Sequence, residues 1–105
     1  MGWVNDARKE LALGHDVEVR PFGGSMRGRI ESGDTITLTP VPPAEVRVDD
    51  VVLVEWRGNC LLHLVKETEE DKLLIGNNLG KVNGWVESSA VLGKVVAVRD
   101  SGDHQ

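Results

Sequence analysis

Cysteine, aromatic residues and long apolar runs are all scarce in this chain of 105 residues. The single cysteine, Cys60, excludes an internal disulfide and fits a reducing compartment. Aromatic residues make up 4% of the chain, so Val, Leu and Ile must build the interior. No apolar stretch approaches the roughly 20 residues that span a bilayer. The segment Met1-Gly2-Trp3-Val4-Asn5-Asp6 has neither the basic nor the apolar part of a secretory signal. Asp6 also stands where a myristoylation motif carries Ser or Thr. These absences lead us to expect a soluble, cytoplasmic protein with no membrane partner. Excess positive charge is missing too. At a net charge of −5 and a pI of about 5.1, the chain is a poor neutraliser of phosphates, so no nucleic-acid partner is expected. Arg20, Arg27 and Arg29 form only a local positive patch.

What is present reads as one all-β domain over residues 1–105 with a short N-terminal helix. Asn5 to Leu13 is the helix, with Asn5 as N-cap and Gly14 as the left-handed stop. Trp3, Ala7 and Leu11 share a face at helical spacing. A helix this short holds only when docked. A β core is expected from about residue 16 to 99, and residues 100–105 form a frayed tail. Val17 and Val19 alternate with charged neighbours, and Thr35-Ile36-Thr37-Leu38-Thr39 alternates strictly, as half-buried strands do. Pro40-Val41-Pro42-Pro43 cannot join a ladder and serves as a connector. Val51 to Trp56 and Cys60 to Val65 flank Gly58-Asn59, which predicts a tight hairpin turning on those two residues. Counting back from that turn sets Val54 opposite His63. Lys72 to Ile75 and Val91 to Val98 are further strands. Gly76-Asn77-Asn78, Asn83-Gly84 and the acidic Glu67-Thr68-Glu69-Glu70-Asp71 read as turns.

The chemistry concentrates at two places. Gly23-Gly24-Ser25-Met26 sets a serine in a glycine-rich turn, followed by Ile30-Glu31-Ser32-Gly33-Asp34. A lone histidine, His63, interrupts the apolar run Leu61-Leu62-His63-Leu64-Val65. Serine is a weak nucleophile unless a base within hydrogen-bond reach takes its proton. In the expected hairpin His63 shares a face with Val52, Trp56, Leu61 and Val65. An apolar wall disfavours a charged ring, and a neutral imidazole is the form a general base needs. On residues alone, the leading reading is the plain one, with Ser25 shaping a turn and His63 a satisfied core histidine.

Taken in this order, the residues resemble the LexA/signal-peptidase superfamily of serine peptidases, from about Val17 to Val98. In that superfamily a Gly-x-Ser-Met turn carries the nucleophile, a Gly-Asp turn follows, and the base lies on a later strand. The base is a lysine in LexA-type and bacterial members and a histidine in the endoplasmic and archaeal type. The resemblance implies a LexA/signal-peptidase-like β-fold, Ser25 as nucleophile and His63 as base. Lys66, the nearest lysine, would point to the other face. The chain departs from the pattern in three ways. Gly28 replaces the usual proline, and Gly23 replaces a serine that can donate to the oxyanion, which leaves the backbone amide of Ser25 for that role. Asn77 and Asn83 also fall where relatives carry acids, and they become the candidates for orienting the histidine. Asparagine in place of a triad aspartate costs roughly 10⁴ in turnover in a well-studied protease.

The resemblance implies a peptide or protein substrate bound in extended form along a sheet edge, with no cofactor. No metal is expected either, since Cys60 and His63 lie three apart on a strand and face opposite ways. Two functions stay open at this level. One is Ser-His hydrolysis of an extended peptide. The other is an inactive peptidase fold used for binding or regulation, which the amides in place of acids favour. The sequence does not specify the oligomeric state.

Overall fold

The computed structural model describes residues 3–20, 30–31 and 33–99. Helix α1 spans Trp3–Ala12, and seven strands follow: β1 Val17–Val19, β2 Thr35–Thr39, β3 Val51–Trp56, β4 Asn59–Glu69, β5 Lys72–Gly76, β6 Val82–Glu87 and β7 Val91–Arg99. All strands join one antiparallel sheet in the order β1-β2-β7-β3-β4-β5-β6. Among the described residues the all-β architecture with one short α-helix is therefore as expected.

The helix begins two residues earlier than the cap signal suggests, so Asn5 lies inside it. Its end is the expected one. Gly14 takes φ +87°, its N–H donates to Leu11 O at 3.0 Å, and the His15 N–H donates to Glu10 O at 3.0 Å. That pair of bonds is the Schellman ending, which satisfies carbonyls that the helix leaves open. Ala7 and Leu11 are buried and dock the helix against β1 and β7. The approach depends on Gly93 of β7, where a Cβ would lie 2.9 Å from Leu11 Cδ1 and 3.0 Å from Thr39 O.

Each face of the sheet buries its own apolar cluster. Val51, Leu53 and Leu64 join Ile36, Leu38, Val19, Ile30 and the helix on one face. Val52, Val54 and Val65 join Val46, Leu73, Ile75 and Val91 on the other. The unbroken run Val51-Val52-Leu53-Val54 is buried throughout because β3 is central and covered on both sides. The sheet also curls: the Trp56 ring reaches the place where a Cβ on Gly84 would sit, although β4 and β5 lie between their strands.

Three sequence expectations need correction. The β3–β4 hairpin turns on Arg57-Gly58 instead of Gly58-Asn59. Both residues have positive φ, 52° and 84°, the mark of a type I′ turn. Asn59 therefore pairs with Trp56, and His63 stands opposite Val52 instead of Val54. Asn83-Gly84 is no turn but lies within β6, where the missing Cβ makes room for Trp56. Glu67, Thr68 and Glu69 extend β4 beyond a bulge at Lys66, leaving only Glu70-Asp71 to turn the chain. The acidic side chains there are exposed, so a solvated strand end carries them as readily as a loop.

Candidate functional site

Along β4 the side chains alternate: Leu62 and Leu64 enter the helix-side cluster, while Val65 enters the opposite one. His63 lies on the Val65 side and pairs with Val52. Moving the turn by one residue shifts the pairing by two, which leaves this face unchanged because strand side chains repeat every two residues. His63 is 8% exposed, one of two buried polar or charged residues among those described; Asp34 is the other. Cys60 packs on the helix-side cluster, so it and His63 do point apart.

The ring's orientation fixes its chemistry. His63 Nδ1 lies 2.6 Å from the Leu62 carbonyl oxygen. A carbonyl can only accept, so Nδ1 carries the proton and donates it. In the neutral ring Nε2 then bears the free lone pair, the arrangement a general base requires. A backbone carbonyl thus sets the tautomer, a task that falls to a carboxylate in an acid-containing triad.

Neither asparagine is seen to set the ring. Asn77 Oδ1 accepts the N–H groups of Leu79 at 2.8 Å and Lys81 at 2.9 Å, and the Asn77 N–H donates to Lys81 O at 2.9 Å. These bonds close the loop between β5 and β6, so the residue does turn work. The loop folds back so tightly that a Cβ on Gly76 would lie 2.1 Å from Lys81 O. Asn83 sits at the bulge in β6, and its buried Oδ1 has no hydrogen-bond partner, the only such side-chain atom among the described residues. The alternative base, Lys66, runs its stem over Gly76, which pairs with Leu64 on the face away from His63.

Ser25 lies outside the described residues, as do Gly23, Gly24, Met26, Arg27 and Arg29. The described chain leaves β1 at Val19 and re-enters the core at Ile30. Ile30 packs in the helix-side cluster, together with Leu53 and Leu64. Asp34 of the following turn is buried, and its Oδ2 accepts the Glu31 N–H at 2.9 Å. The aspartate thus holds a turn directly ahead of β2. Pattern reading gives no sign of the contact that sets the His63 tautomer. No periodicity signals it, since it runs to the preceding residue's own carbonyl. The chain matches no protein-family model, no curated protein and no solved structure.

Proposed function

We propose that this chain is a serine peptidase-like domain of the LexA/signal-peptidase type, acting on an extended peptide through a Ser25–His63 dyad. The observation that carries the reading is the buried His63 ring, held by the Leu62 carbonyl with its lone pair on Nε2. In this mechanism Ser25 Oγ attacks the peptide carbonyl carbon as its proton passes to His63 Nε2. Charge developing on the carbonyl oxygen is met by backbone N–H groups, chiefly that of Ser25. The imidazolium then protonates the leaving amine, and the acyl-serine is hydrolysed by a water that the same ring deprotonates.

A second reading, a binding or regulatory module without turnover, has its own support. Asn77 spends its carbonyl oxygen on loop amides, so it supplies no third catalytic group. A fluorophosphonate probe separates the two readings. The dyad predicts covalent labelling of Ser25, located by peptide mass spectrometry and lost in both Ser25→Ala and His63→Ala. A complete lack of labelling across about pH 6 to 9 with folded protein would overturn the dyad and support the binding module instead.

A further inference from the structure

Asn83 is the only asparagine in the chain that is followed by glycine. Asparagine is among the thermally labile residues of proteins. A following glycine has no Cβ to keep its backbone nitrogen from closing on the asparagine side chain. A regular strand paired on both sides prevents that closure by holding the two groups apart. β6 is not such a strand at this point. It is one end of the sheet and hydrogen-bonds to β5 alone. Its register passes from Gly76↔Val82 to Ile75↔Gly84, so Asn83 is the extra residue of a bulge and has no partner across the ladder. Gly84 also departs from strand geometry, with φ +150°. The Asn83 carboxamide is equally unheld, since its buried Oδ1 accepts no hydrogen bond among the described residues. Asn77 is the contrast: its Oδ1 is fixed by the N–H groups of Leu79 and Lys81.

We propose that Asn83 is a site of spontaneous deamidation, independent of the dyad, and that its conversion loosens β6 from the sheet. Solvent base takes the Gly84 N–H proton, and the nitrogen attacks Asn83 Cγ. The Gly84 N–Cγ bond forms, the Cγ–Nδ2 bond breaks, and Nδ2 leaves as ammonia with a proton from solvent. Water then opens the cyclic imide at either carbonyl, giving aspartate or isoaspartate. Burial of Oδ1 does not block the first step, because the nucleophile is the adjoining main-chain nitrogen. Aspartate places a charge where a buried oxygen already lacks a partner, which is a costly position. Isoaspartate adds a carbon to the main chain and so breaks the β5–β6 ladder.

Incubation of the folded chain in mildly alkaline buffer, followed by tryptic mass spectrometry, tests this. The tryptic peptide 82–94 holds no other side-chain amide, so a mass gain there belongs to Asn83. That peptide should convert faster than those holding Asn5, Asn59, Asn77 or Asn78, and an isoaspartyl methyltransferase should label it. An edge bulge opens at little cost, so the folded rate should lie within about tenfold of the rate of the same chain in denaturing urea. Asn83→Asp should fold but unfold at a lower urea midpoint than the wild type. Protection of Asn83 by more than about tenfold in the folded chain overturns the proposal. So does faster conversion at any other asparagine. An unchanged midpoint in Asn83→Asp overturns the loosening of β6.

Discussion

His63 is a polar residue at a position where an apolar one would pack as well. Its neighbours across and along the sheet, Val52 and Val65, are fully buried, and its one described hydrogen bond runs to a carbonyl that belongs to the strand itself. Replacing it with leucine removes that bond, worth about 1 kcal/mol, and adds apolar burial of similar size. His63→Leu should therefore change unfolding free energy by no more than about 1 kcal/mol in urea titrations while abolishing probe labelling. A loss of several kcal/mol without any detectable labelling in the wild type would identify a structural histidine. Stability kept and chemistry lost is the pattern of a residue retained for function. Its place on an apolar strand face was legible in the sequence because the flanking Leu61-Leu62 and Leu64-Val65 fix the alternation. Its tautomer was not, because that depends on how the ring turns toward its own backbone.

At the level of elements, the β3–β4 hairpin shows what pattern can and cannot decide. A slip of two residues keeps every apolar side chain on its own face, so hydrophobic alternation accepts either turn. Turn chemistry breaks the tie: Gly58 occupies the second central position, with Arg57 bearing the first positive φ. The Arg57 guanidinium carbon lies 5.0 Å from the Trp56 ring centroid, a cation–π contact that offsets part of that strain. Gly58→Ala should cost about 1 kcal/mol, read as a lowered urea midpoint with an unchanged slope, because alanine resists φ near +84°. An unchanged midpoint would show that the turn sits elsewhere. The helix stop at Gly14 was legible for the converse reason: a single glycine after a short amphipathic stretch satisfies its own end locally. Gly84 misled because its glycine serves a distant ring, and sequence proximity carries no trace of Trp56.

Across the whole molecule, the strand order joins segments remote in sequence. β7 inserts between β2 and β3, burying β3 on both flanks and setting His63 one strand farther from that insertion. No local signal announces such a placement; it follows from the need to cover the Val51–Val54 run on both faces. The proposed dyad requires the chain to bring the Ser25 hydroxyl to the Nε2 side of the His63 ring. Crystallography of the protein, free and after phosphonate treatment, measures this most directly. We predict Ser25 Oγ and His63 Nε2 within about 4 Å or bridged by one water, with His63 Nδ1 still bonded to the Leu62 carbonyl. A well-ordered Ser25 more than about 8 Å from Nε2 would contradict the account, since no single water bridges that gap.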